Sequence, residues 1–258
     1  MLGVSVASGL MSVPVWLQMM LLVLPVIYIG SLLSLNAEKD QVEHLQSKDA
    51  MLAPIFGSIA LVSLFFVYKF FPAEYVNLVA RVYFVLFGEL TMVSCFEKIT
   101  LSFVDENLRK GLSVPLFQFT IPKIPFIVEK EEVVKVTKLG LVFHVVAAPI
   151  AAAYWTYNKW FLNNVFGISF SLSAIEQINI GSYYNGSIML IGLFFYDIFW
   201  VFGTEVMVKV ATSFDAPIKL LFPRGPDVRP SLLGLGDIVI PGKQRVPVCL
   251  KPQASSSL

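Results

Sequence analysis

Six apolar runs of about span length recur along this chain, at roughly 13–35, 51–71, 76–96, 139–157, 160–178 and 184–206. A helix rising about 1.5 Å per residue crosses a hydrocarbon core of about 30 Å in some twenty residues. Such runs restrict the chain to an all-α, multi-pass membrane helix bundle with about six complete spans. Hydrophobic residues are 56% and charged residues 14% of the chain, whereas soluble proteins carry about 25% charged residues. A soluble domain would have nowhere to put that apolar surface. The first run lacks a basic leader and exceeds the 7–15 apolar residues of a signal-peptide core, so it reads as a span.

Near the middle of the run 184–206 stands an acid, Asp197. An ionisable group at that depth is costly if charged and unpaired, so it must face protein or a water pocket. Alone it reads equally as a helix-packing acid. A second acid, Asp237, follows forty residues later in LGLGDIVIPG, 233–242. Small residues ahead of it let backbones approach closely, and glycine permits an unwound segment where protein or water receives its polar groups. The apolar stretch around Asp237 is only about a dozen residues, short of the roughly 17–25 needed to cross, and reads as a truncated seventh span.

Tyr196-Asp197 and Gly234-Leu235-Gly236-Asp237, each on its own apolar segment, resemble the paired aspartates of the GxGD intramembrane aspartyl proteases, the presenilin and signal peptide peptidase families. The stretches FWVFGT (199–204) and FDAPIKLLFP (214–223) are similar to the signal peptide peptidase branch. The resemblance runs from about Met51 to Gly242 and is weaker before Trp160. It implies an Asp197–Asp237 catalytic dyad, with Tyr196 packed beside it and Gly234, Leu235 and Gly236 receiving an unwound substrate strand. It implies no cofactor and no metal. The implied substrates are remnant signal peptides and type II membrane segments, in the endoplasmic reticulum membrane.

Members of that family continue the second aspartate's helix, add two further spans and carry a Pro-Ala-Leu motif. No Pro-Ala-Leu occurs here, and residues 243–258 form a divergent polar tail after a membrane-embedded domain at 1–242. The resemblance therefore implies a C-terminally shortened form, weakly active or inactive alone. The alternative is a noncatalytic substrate-binding or regulatory isoform, free to form a homo-oligomer or to associate with full-length family members. A transporter using midplane acids is a third reading, disfavoured by the loop resemblance.

The net charge of +1 carries no nucleic-acid signature, and two cysteines without a CxxC suggest neither a disulfide framework nor a metal site. The longest polar interval, Glu97–Lys138, holds seven Lys and Arg and is the best cytosolic candidate. With three spans before it, that places the N-terminus on the lumenal side. Inside it, 117–121 and 126–128 read as short strands. His44 reads as a solvated loop residue, Arg81 and Glu176 as snorkelling residues, and Glu89 and His144 as interhelical partners. The sequon at Asn185 stands at the mouth of a span on the cytosolic side and is expected to be unmodified.

Overall fold

In hydrocarbon a chain must satisfy its own backbone groups, and long apolar runs do so as helices. The computed structural model describes residues 13–36, 43–45, 47–112, 114–121, 132–180, 183–224 and 230–244. In chain order the elements are α1 (Val15–Asn36), β1 (Glu43–Leu45), α2 (Ser47–Phe70), α3 (Ala73–Phe103), α4 (Glu106–Leu112), β2 (Pro115–Ile121) and β3 (Glu132–Thr137). Then follow α5 (Lys138–Tyr157), α6 (Trp160–Gln177), β4 (Ile178–Ile180), α7 (Tyr183–Asp197) and a π-helix (Ile198–Phe202). The described chain closes with α8 (Val206–Ser213), β5 (Lys219–Phe222), β6 (Ser231–Gly234) and α9 (Gly236–Gln244).

Among the described residues, five helices are long and apolar enough to cross a membrane: Val15–Ser34, Met51–Phe70, Ala73–Phe103, Lys138–Tyr157 and Tyr184–Phe202. The sixth expected span, α6, forms as a helix but is too polar to join them. It lies instead at the centre of the bundle, where its neighbours are α1, α3, β5 and α9. Protein replaces lipid around it, so polar side chains are tolerated where each finds a partner. Ser169 and Ser171 donate to the carbonyls of Val165 and Gly167 at 3.0 and 2.9 Å. Glu176 is buried and paired with Lys98 of α3 at 2.7 Å. The snorkelling reading of Glu176 is thus corrected: its helix ends against protein, not at a lipid interface.

The main core gathers Val26 of α1, Cys95 of α3, Leu172 and Ile175 of α6, Leu220 and Phe222 of β5, and Ile238 and Val239 of α9. A second cluster packs Ala151 and Tyr154 of α5 against Leu162 and Phe166 of α6. Gly88 makes the α3–α6 contact possible, since a Cβ there would stand 2.2 Å from the Phe166 ring. Between α3 and α5, His144 Nδ1 meets Glu89 Oε1 at 2.9 Å, the interhelical partnership expected of both. Thr137 caps α5 by accepting the Gly140 N–H at 2.9 Å.

The connections hold more structure than their polarity suggested. β1 pairs in parallel with β4, His44 opposite Asn179, so His44 belongs to a strand and not to a loop. β2 and β3 form an antiparallel ladder, Phe117 opposite Val136, which includes the strand expected at 117–121; residues 126–128 lie outside the described residues. Arg81, expected to snorkel, pairs with Asp215 at 3.0 Å, and the same carboxylate accepts the Asn158 side-chain amide. Asn77 completes this cluster, accepting from Tyr68 Oη at 2.6 Å and from the Asp215 N–H at 3.2 Å, and donating to Ser213 O at 3.0 Å.

Candidate functional site

Asp197 is the last residue of α7, at the point where that helix widens into the π-helix Ile198–Phe202. Such π segments occur mostly as short insertions, often at functional positions, and they re-aim the side chains beside them. Its neighbour Tyr196 turns toward α2, where a Cβ on Gly57 would lie 3.5 Å from the ring. Trp200, one turn on, has its ring centroid 6.4 Å from that of Tyr196 and donates Nε1–H to Ser58 Oγ at 2.9 Å. Two aromatic rings and one hydrogen bond thus seat the Asp197 segment on α2.

Asp237 reaches its place by a different route. β5 and β6 pair antiparallel, Leu221 opposite Leu232, and β6 ends at Gly234. The ladder is extended by the Leu235 N–H, which donates to Ile218 O at 3.1 Å. Leu235 O then accepts from the N–H groups of Ile238 and Val239, at 3.1 and 2.9 Å, which turns the chain into α9. Asp237 sits in the first turn of that helix.

The three residues ahead of Asp237 have separate surroundings. Gly234 lies directly on the carboxylate: a Cβ there would stand 3.3 Å from Oδ2, so a side chain would press on the acid. Gly236 faces open space, with nothing within 4 Å of a Cβ. Leu235 sends its side chain toward α6, 3.4 Å from where a Cβ on Gly167 would be. No described glycine adopts a positive φ, so the need at Gly234 is for clearance and not for a left-handed backbone.

α9 packs on α7 through Ile240, which meets Met189. That contact sets α9, which carries Asp237 in its first turn, beside α7, which ends at Asp197. Both residues are solvent- or lipid-accessible on the described chain. Among the described residues no group of three or more His, Cys, Asp or Glu side chains is placed to hold a metal ion.

Sequence reasoning passed over Asn163 and Asn164. Asn163 Nδ2 donates to Lys219 O at 2.7 Å, and Asn164 pairs with both backbone groups of Leu221. Two adjacent carboxamides in an otherwise apolar run were the available signal, because such groups are kept in an apolar setting only where they have partners. Lys219 was also missed: its ammonium donates to Phe214 O at 2.8 Å and to Ala211 O, fixing the entry into β5. It lies outside the spans, and burial pulls its pKa below the ordinary lysine range, against the opposing pull of Asp215.

The family model for signal peptide peptidase matches residues 37–251. The chain is 37% identical over 254 residues to the signal peptide peptidase of Mus musculus and 36% identical over 254 residues to that of Homo sapiens, covering 93% of this chain in each case. It is 33% identical over 218 residues to a probable intramembrane protease of Schizosaccharomyces pombe, covering 84% of this chain and 62% of that relative. The chain spans 64% of the length of the mouse and human relatives. No solved structure matches it. Similarity reaches well outside the interval 51–242 that the motifs marked, and on this evidence the chain belongs to the signal peptide peptidase family of intramembrane proteases.

Proposed function

We propose that the chain works as an intramembrane aspartic endopeptidase with Asp197 and Asp237 as its dyad. The observation that carries this reading is the packing of α9, with Asp237 in its first turn, against α7, which ends at Asp197. Hydrolysis of a peptide bond needs an activated water and a protonated leaving amine. One carboxylate takes a proton from water as the water oxygen attacks the scissile carbonyl carbon. The other carboxyl, protonated, hydrogen-bonds the carbonyl oxygen, and the dyad returns a proton to the amine as the C–N bond breaks. Relatives named signal peptide peptidases make the apolar segments of signal peptides the first substrates to try, with type II membrane segments next.

Gly234 leaves clearance beside Asp237, and Gly236 leaves open space one residue on; both suit a strand of unwound substrate. Leu235, expected to receive substrate with them, has its side chain on α6 and both backbone groups bonded within the protein, so it holds the two glycines in place at that edge. Tyr196 stands next to the dyad and is held by α2. The endoplasmic reticulum membrane, with the N-terminus lumenal and 97–138 cytosolic, is the setting this reading assigns.

The test is cleavage of a radiolabelled signal peptide by the chain in proteoliposomes, beside the Asp197→Ala and Asp237→Ala chains. Cleavage lost in both variants supports the dyad. Cleavage that survives either substitution defeats the reading, whereas peptide bound but not cleaved by the unaltered chain favours the substrate-binding isoform. Protection of the 97–138 loop from protease added outside microsomes would reverse the topology.

A further inference from the structure

The hairpin that delivers Asp237 has an outer edge, and α6 occupies it. On one side β5 pairs with β6. On the other, Asn164 Nδ2 donates to Leu221 O and Asn164 Oδ1 accepts the Leu221 N–H, both at 2.8 Å. One carboxamide thereby supplies the donor and the acceptor that a third strand would have supplied. Asn163 adds its bond to Lys219 O, so alternate residues along the edge are engaged, as the pleat of a strand requires. Both asparagines are buried, at 4% and 5% exposure, where water cannot compete. One turn further along α6, Gly167 admits the side chains of Leu220 and Leu235, whose δ carbons would lie 2.7 and 3.4 Å from a Cβ there. From Leu221 the connection to Asp237 is short and continuous: across the ladder to Leu232, or back to Ile218, whose carbonyl holds Leu235 two residues before the acid.

We infer that Asn164, assisted by Asn163, is a positioning residue for Asp237: it sets the height of the β5–β6 hairpin on α6, and so the place of the Asp237 carboxyl relative to Asp197. The inference rests on the dyad reading above. Buried edge groups need some partner in any case, but a partner on the central helix does more than satisfy them. It references the hairpin to the most enclosed element of the bundle. A change at Asn164 therefore moves Asp237 without disturbing contacts elsewhere, such as those between α3 and α5.

Disulfide cross-linking in membranes containing the full chain, with Cys95→Ser and Cys249→Ser, reads this directly. The site pair is Asp197→Cys with Asp237→Cys. The reference pair is Glu89→Cys with His144→Cys, which reports the α3–α5 packing. Asn164→Leu removes both hydrogen bonds at similar volume and is expected to slow the site pair, relative to the reference, by about tenfold or more. Asn164→Asp supplies a finer readout. A protonated carboxyl offers one donor and one acceptor, as the carboxamide does, whereas an ionised one only accepts. Relative cross-linking in the Asn164→Asp chain is therefore expected to recover toward acid pH and fall as pH rises, a profile that a merely stabilising residue would not produce. If Asn164→Leu slows both pairs, that pH profile decides, and its absence overturns the inference. An unchanged relative rate in the Asn164→Leu chain overturns the inference and leaves the dyad standing. Failure of the site pair to close with Asn164 intact, while the reference pair closes, overturns both.

Discussion

The two acids are carried by two unlike halves of the molecule. Asp237 belongs to the half built on α6, which buries ten of its own residues and shares a core with α1, α3, β5 and α9. Asp197 belongs to the half made by α2, α7, the π-helix and α8, in which α2 buries no residue between 51 and 70 and the π-helix buries none. One half is held by interlocking side chains and by polar groups paired inside protein. Among the described contacts, the other leans on Pro54 against Gly192, Ala53 against Met189, Tyr196 against Gly57 and the Trp200–Ser58 hydrogen bond. Lipid tails are as apolar as leucine, so exposed apolar surface gives the second half little reason to hold its partners tightly. The comparison teaches that one acid is mounted on a platform enclosed by protein and the other on an arm that protein leaves largely exposed.

Three substitutions can break or sharpen that contrast, each measured by detergent-titrated unfolding in bicelles. The largest effect is expected of Gly88→Leu. Its added atoms would meet the fully buried Phe166 ring at 2.2 Å, and steric exclusion does not depend on the solvent, so a loss of about 3 kcal/mol is expected. Lys98→Met comes next, because it leaves Glu176, with only 9% of its side chain exposed, as an unpaired acid. Breaking a wholly buried pair costs about 3–5 kcal/mol, but Lys98 is 40% exposed and the pair correspondingly screened, so about 2 kcal/mol is expected. Trp200→Phe removes the Trp200–Ser58 hydrogen bond between the π-helix and α2 and should cost about 0.6 kcal/mol, the usual worth of such a bond in a membrane. Should Trp200→Phe prove more costly than Lys98→Met, the arm is no looser than the platform and the contrast fails.

Hydropathy made α1, α2, α3, α5 and α7 legible because lipid admits little besides an unbroken apolar helix. It also marked α6 as a helix, but not as the centre. Asn163, Asn164 and Glu176 lower the apparent quality of a span, and it is those residues that bind β5 and α3. Their partners lie 56, 57 and 78 positions away in the chain, beyond the reach of any local pattern. The same distance hid β5 and β6 inside what reads as a loop between the two aspartates, since a strand whose outer edge is served by side chains needs no neighbouring strand in sequence. The acids themselves could be picked out by type and setting. Gly234 could be suspected beside Asp237, but that it, and not Gly236, lies against the carboxylate was not readable from a Gly-Leu-Gly spacing.

The short parallel ladder of β1 with β4 joins the strand that precedes α2 to the strand that follows α6, and so sews the arm to the platform at one end of the bundle. At the opposite end the Asp215 cluster does the same, gathering Tyr68 of α2, Asn77 and Arg81 of α3, and Asn158 of the α5–α6 turn. The segments that carry the two acids therefore run between fixed ends: α2 is tied toward α6 both where it begins and where it stops, as a rung is held by two rails.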